Sequence, residues 1–480
     1  MGKSKLKLFV ENVLIYGLGG IMSKVVHLVM VPILTYLFPT TAFFGLSDNA
    51  NTLLSFGIYL SIMGMFDAMY RLFFEKQDEM YKREVCSTTV FFTLGTSVLT
   101  SILLILLKDV ISPIVFEKPE YSYLIYVISL TTFVSATNGI ISAPTRMQNK
   151  RHVFLITNTI GPIISYAISV PMILKGFYVI AMPLAALISG LIIEISFLIM
   201  NHKWFSPKLF RKDLLKPLLS IAIPLLPNFL VYWVFNSCDK LMITKILGLE
   251  QNGIYSVGAK LGMCSQLIYT AFAGGWQYFA FSTMNEKNQI KNNSDIFEYL
   301  GAISFVATAF LCAVSSTIFK IFPSMYYSGY IVAPYLFLAP LLLMLYQVGS
   351  NQFLVIKKTW PNVLILGFGA IVNLGLNYVL IPLIGIEGAS VATLSGYIVS
   401  LIILCVVLVK MRLMILSRRF CVMVIALAFY MLIWRMLFSE NLLMGLTLGL
   451  VFAVFVILLY KREIGLMTSI IKKRKVAPTQ

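Results

Sequence analysis

The sequence predicts an all-α polytopic membrane protein of about fourteen transmembrane helices. Two observations carry that prediction. Of the 480 residues, 59% are apolar and only 12% are charged, whereas soluble domains have about 45–50% and about 25% respectively. In addition, the 38 Lys and Arg flank long apolar runs and crowd into alternate connections.

A spanning helix needs about 20 predominantly apolar residues. Such runs lie at 13–37, 45–66, 86–107, 121–142, 153–173, 178–200, 217–238, 254–274, 299–319, 331–354, 361–382, 386–409, 420–438 and 442–460. No connection is long enough for a soluble catalytic or nucleotide-binding domain. The cations test this layout independently. The N-terminus, the connections 67–85, 143–152, 201–216, 283–298, 355–360 and 410–419, and the C-terminal tail together hold 29 of them. The alternate connections hold seven: Lys108, Lys118, Lys175, Lys240, Lys245, Lys320 and Arg435. The positive-inside rule then places both termini in the cytoplasm. Two cations remain, Lys24 and Lys260, each inside an apolar run.

The net charge of +18 does not point to nucleic acid. The basic residues border membrane runs rather than forming one patch, so anionic lipid headgroups are their expected contacts. The six cysteines are scattered without paired spacing and read as small buried hydrophobes. The three histidines, His27, His152 and His202, form no metal-ligand cluster. The first apolar run is too long for a signal-peptide core and reads as an anchor. Met1-Gly2 opens like a myristoylation signal, but Leu6 stands where Ser or Thr is needed.

A weak internal repeat lies beneath the topology. Lys150-Arg151 matches Lys357-Lys358, Pro171 with Gly176 matches Pro382 with Gly385, and Gly45 matches Gly253, all at offsets near 208. One repeat spans six helices, so the halves share an orientation and are related by an axis along the membrane normal. The expected units are 1–205, 206–410 and an appended pair of helices in 411–480.

Asn12, Gly17 and Pro32, Gly45, Asp239-Lys240, Gly253-Ile254-Tyr255-Ser256, Asn373, Asn377, Pro382, Gly385, Gly388-Ala389 and Ala392-Thr393 form a loose pattern over residues 8–410. This pattern resembles the multidrug/oligosaccharidyl-lipid/polysaccharide exporter superfamily, and within it the polysaccharide flippases of O-antigen and capsule pathways. The resemblance implies two six-helix lobes forming a V around a cavity that opens alternately inward and outward. It also implies a polyprenyl-diphosphate-linked sugar repeat as substrate, with a downstream polysaccharide polymerase as a candidate partner.

No hydrolytic or transfer constellation is present. Gly253 to Lys260 (GIYSVGAK) is a near miss to a phosphate-binding loop, with Ala259 intruding before the lysine. No nucleotide and no cofactor is therefore expected. An H+ or Na+ gradient, or consumption of the product, must drive net movement.

Lys24 falls near mid-membrane and Lys260 about six residues into the eighth helix. A charge at the bilayer centre costs a few kcal/mol or more, so it faces a cavity or a partner. As compact cations with three donors, both suit a diphosphate; the plainer alternative is pairing with an acid or snorkelling. His27 shares a helix face with Lys24, or is a packing histidine. Asp48 is a candidate partner for Lys260, or interfacial. Glu194 is a candidate binding group or a snorkelling acid. Arg71 guides a headgroup or simply sets topology. Tyr232, Trp233, Tyr255, Trp276 and Tyr278 suit sugar stacking or interfacial anchoring. The Gly258/Gly262 and Gly445/Gly449 spacings permit close helix packing.

Three rivals remain. A cation-coupled multidrug antiporter needs an intramembrane acid, and the first helix has none. A peptidoglycan-precursor flippase would have a cavity richer in arginine. A glycan polymerase would present a large outer loop.

Overall fold

A computed structural model describes residues 22–148, 150–270, 272, 276, 286, 288–356, 358 and 360–463. Asn12, Gly17, Tyr278, Lys287 and Lys357 lie outside the described residues, as do Lys3, Lys5, Lys7, Lys472, Lys473 and Lys475. Among those described, every regular element is helical. In chain order they are α1 (Met22–Leu37), α2 (Thr41–Ile62), α3 (Met65–Phe73), α4 (Glu79–Leu106), α5 (Lys108–Phe116), α6 (Tyr123–Ile141), α7 (Ala143–Met147), α8 (Arg151–Leu174) and α9 (Ala181–Asn201). There follow α10 (Lys212–Leu247), α11 (Leu249–Gly262), α12 (265–270), α13 (Gln289–Ile318), α14 (Val332–Val355), α15 (Trp360–Ile384), α16 (Ile386–Lys410), α17 (Arg418–Ile433) and α18 (Leu442–Leu459).

Eleven described helices are long and apolar enough to cross a membrane, or twelve with α2 and α3 counted as one bent span. The expected first and eighth spans are described only in part, as α1 and as α11 with α12. Leu106, Met436 and Leu443 are each 74% exposed. Such an apolar exterior suits hydrocarbon and would aggregate in water.

Local chemistry sets the breaks. The α2–α3 bend of 43° falls where Met63 and Gly64 take φ of 50° and 79°. Gly64 also lies against α10, where a Cβ would come within 2.6 Å of the Ala222 carbonyl oxygen, so only glycine fits. The Pro171/Gly176 and Pro382/Gly385 pairs both mark turns. Each proline sits near the end of its helix, and both glycines are left-handed, at φ of 89° and 67°. Asp78, Ser417 and Asn441 cap α4, α17 and α18 by accepting from backbone N–H groups.

Within the first half, α6 packs on α2, α4 and α9, and α8 on α9. In the second half, α16 packs on α15 and α14, α10 on α15, and α13 on α14. The halves meet where α2 lies along α11 and α10 along α3. Added Cβ atoms at Gly258 and Gly262 would come within 2.6 and 2.8 Å of the Gly329 and Ala333 oxygens, so these glycines do permit the α11–α14 approach. The appended α18 lays Gly445 and Gly449 against Ala313 and Ala309 of α13.

One expectation needs correcting. Lys240 is not in an outer connection. Helix α10 runs 36 residues, about 54 Å at 1.5 Å per residue, well beyond the expected 217–238. Lys240 is inside it and only 8% exposed.

Candidate functional site

Helices α1, α2, α6, α8, α9, α11 and α12 enclose a cavity of about 440 Å³. Four expected site residues line it: Lys24 and His27 from α1, Asp48 from α2, and Lys260 from α11. Lys24 and His27 fall three residues apart on one helix face, which is why both reach it.

Asp48 is the most heavily partnered group at the cavity. Its carboxylate lies 2.8 Å from Lys240 Nζ and 2.9 Å from Lys260 Nζ, and it accepts from Ser256 Oγ at 2.9 Å. The Asp48 side chain is 3% exposed, Lys240 10% and Lys260 36%. One carboxylate therefore compensates two ammonium groups, and Lys260 keeps a face toward the cavity. Sequence anticipated the Asp48–Lys260 pair but missed Lys240. The missing signal was position, since Lys240 falls just past the end of an apolar run and resembles a loop residue.

Lys24 has no carboxylate partner among the described residues. Its Nζ donates to Thr270 Oγ1 at 3.0 Å, and that hydroxyl donates to the Gln266 carbonyl at 2.6 Å. A neutral acceptor leaves the full charge available to an anion. His27 Nδ1 and the Tyr166 hydroxyl are 2.7 Å apart, with the rings edge-on at 5.6 Å. Tyr166 also lines the cavity, and sequence could not single it out because an aromatic residue in an apolar helix has no contrast.

The other two candidates lie elsewhere. Glu194 of α9 is 7% exposed and accepts from the Thr137 hydroxyl of α6, so it does not snorkel to an interface. Arg71 is exposed in the last turn of α3. Neither lines the cavity. The aromatic candidates are engaged too: Tyr255 donates to Asp239, Trp233 Nε1 to the Thr52 carbonyl at 3.2 Å, and Trp276 stacks on Phe272 at 5.6 Å. The Gly253–Lys260 segment lies within α11, so its N–H groups cannot curl into a phosphate-cradling loop.

Around the site the halves are joined through backbone-close contacts. A Cβ at Gly45 would come within 2.8 Å of the Gly253 nitrogen, and one at Gly253 would collide with the Thr41 carbonyl oxygen. Asn252 Nδ2 donates to Asn49 Oδ1 at 2.9 Å, and Thr41 Oγ1 to the Glu250 carbonyl at 2.9 Å.

A family profile described as polysaccharide biosynthesis protein matches residues 38–331. The chain belongs to this family. Its matched region includes Asp48, Lys240, Ser256 and Lys260 but not Lys24 or His27. Among curated protein sequences, none matches the chain. Solved structures give the fold of this polysaccharide biosynthesis protein. The lipid II flippase MurJ in an inward closed conformation superposes with a TM-score of 0.74 at 15% identity, over 94% of this chain and 100% of that one. An inward-facing multidrug resistance transporter of the MATE family, in the MOP superfamily, gives 0.61 at 13%, over 81% and 98%. A MOP superfamily transporter from Pyrococcus furiosus, described as having a binding pocket of reverse polarity, gives 0.61 at 15%, over 84% and 95%. At these identities the likeness is one of fold. The fold is shared with membrane transporters and a flippase of solved structure, and the family is one of polysaccharide biosynthesis.

Proposed function

We propose that this protein is a flippase that carries a polyprenyl-diphosphate-linked oligosaccharide, such as an O-antigen or capsule repeat unit, from the cytoplasmic to the outer leaflet by alternating access. The single observation that carries this reading is the uncompensated charge at the cavity. Lys24 and Lys260 line the cavity with one carboxylate, that of Asp48, which Lys240 pairs from outside the lining; with the buried Asp239 next to Lys240, these five groups leave one net positive charge. A diphosphate diester is anionic, and ion pairing in a partly desolvated cavity rewards its contact with the two lining lysines.

The steps follow from the contacts. A diphosphate engages Lys24 first, because Lys24 gives up only a hydroxyl acceptor. It then draws Lys260 from Asp48, leaving Asp48 with Lys240 as a neutral pair. That removes one of the links between α2 and α11 and favours their separation. The two six-helix units, 1–205 and 206–410, rock about this contact, while the helices of 411–480 travel with the second unit. Net movement draws on an H+ or Na+ gradient or on consumption of the flipped product. The membrane is the bacterial cytoplasmic membrane, with both termini on the cytoplasmic side, and a polysaccharide polymerase consumes the product.

The multidrug antiporter reading is disfavoured by the same charges. The acid lining the cavity is already held by two lysines, and the remaining cations repel a cationic drug. A second reading, a peptidoglycan-precursor flippase, shares the diphosphate and is favoured by the MurJ-like fold; membership of a polysaccharide biosynthesis family favours the glycan.

Deletion of the gene tests the proposal. The expected result is accumulation of lipid-linked repeat units on the cytoplasmic side with loss of surface polysaccharide. Unchanged polysaccharide with heightened drug sensitivity would sink it, and arrested peptidoglycan synthesis would transfer the reading to its rival.

A further inference from the structure

A groove of about 720 Å³ opens where α13 ends against the turn joining α17 to α18, and it shares no lining residue with the Lys24 cavity. Helix α13 finishes in a 3-10 turn, Phe319–Ile321, which brings Lys320 to the groove. The wider helical turn Trp434–Phe438 and the start of α18 bring Arg435, Glu440 and Asn441. The same lining carries Met436, Leu437 and Leu443, which are 68–74% exposed. These are the ends of membrane-length helices, so the groove lies where hydrocarbon gives way to headgroups.

The charges of the lining divide into one that is answered and two that are not. Arg435 is forked on Glu387 and is neutralised there. Among the described residues, Lys320 has no carboxylate partner and Glu440 no cation partner, and the two do not pair with each other across the groove. Glu440 is held in place all the same. Its Oε1 accepts from the Tyr330 hydroxyl at 3.1 Å, and the adjacent Asn441 caps α18 through the Met444 N–H at 3.1 Å. Both contacts fix the carboxylate without cancelling its charge. One groove thus presents a cation and an anion that are separate from one another, beside exposed apolar side chains. Ionic contacts are worth more there than in bulk water, because the dielectric constant falls toward the hydrocarbon.

We propose that this groove binds phosphatidylethanolamine. The phosphate meets the Lys320 ammonium, the ethanolamine ammonium donates to the Glu440 carboxylate, and the acyl chains run along Met436, Leu437 and Leu443. The charge pattern selects among lipids. Phosphatidylglycerol brings an anion without a cation and leaves Glu440 unanswered. Phosphatidylcholine brings a quaternary ammonium that has no N–H to donate. The binding stands apart from the transport reading, since it uses neither Lys24 nor Lys260.

The test titrates the purified, delipidated full chain in detergent with dioleoyl phosphatidylethanolamine, phosphatidylcholine and phosphatidylglycerol, and reads each Kd by native mass spectrometry. Phosphatidylethanolamine is expected to bind at least tenfold more tightly than the other two. Glu440→Gln keeps an acceptor for Tyr330 but loses the charge, and should erase the preference for phosphatidylethanolamine over phosphatidylglycerol. Lys320→Gln should weaken phosphatidylethanolamine tenfold or more, and Lys24→Ala should leave its Kd unchanged. Both groove residues are exposed, so the variants should fold; if either does not, the order of the three lipids on the parent chain decides. The proposal is overturned if phosphatidylethanolamine binds no more tightly than phosphatidylcholine, if phosphatidylglycerol binds most tightly, or if either groove substitution leaves the preference and the Kd unchanged.

Discussion

Asp48 and Ser256 are 208 residues apart and hydrogen-bonded at 2.9 Å. That separation is also the Gly45/Gly253 offset, and those two glycines pack backbone to backbone. The 208-residue offset read in the sequence thus recurs as direct contact between α2 and α11, and the buried carboxylate lies in that contact. The two sides differ in side chain: α2 contributes the acid, α11 a hydroxyl and Lys260, and α10 Lys240.

Removing the Asp48 carboxylate is expected to cost more than any single lysine substitution here. Asp48→Ala removes the carboxylate that both Lys240 and Lys260 contact, and breaking a buried pair costs about 3–5 kcal/mol. Asp48→Ala combined with Lys240→Met should recover part of that loss. Thermal unfolding of the four proteins in detergent measures the cycle, and strict additivity would show that the two residues do not act together.

Lys24 should divide stability from transport. Among the described residues it holds only Thr270, so Lys24→Ala should leave unfolding nearly unchanged. It should also weaken binding of undecaprenyl diphosphate at least tenfold, a change of about 1.4 kcal/mol, and abolish rescue of a deletion strain. Lys24→Arg keeps the charge and should retain part of the rescue. Full rescue by Lys24→Ala would remove the residue from the site.

The glycine contact should govern closure. Gly253→Ala places a methyl against Thr41, and overpacking costs about 1–3 kcal/mol. The α2 and α11 ends should then separate. Spin labels at the exposed positions Thr40 and Gln251 should report a longer distance in the variant than in the parent, and an unchanged distance would refute the wedge.

The appended helices should loosen at one clamp. Arg435 meets Glu387 through Nε at 2.6 Å and a second nitrogen at 2.8 Å, a fork geometry stronger than a single ion pair. Tyr335 donates to the same carboxylate at 3.0 Å. Glu387→Gln should raise amide exchange in the turn joining α17 to α18 while leaving α15 protected. Equal exchange in both proteins would argue that apolar packing alone holds the pair.

The sequence by itself determined the class, the alternation of cations and the choice of Lys24, His27, Asp48 and Lys260. It could do so because an ionisable group in an apolar run costs free energy and therefore stands out. The same signature flagged Glu194, which the fold places elsewhere, since hydropathy marks depth along a helix but not the direction a side chain faces; Arg71, read from its place just past the second run, also lies away from the cavity. Lys240 was hidden for the opposite reason: α10 continues past the apolar run that defined it, so a buried cation resembled a loop residue. Only the tertiary structure decided that one carboxylate would contact two lysines, and that Asp48 and Ser256 would meet across the α2–α11 contact. Such contacts join positions about 200 residues apart, and linear patterning carries no record of which faces will be pressed together.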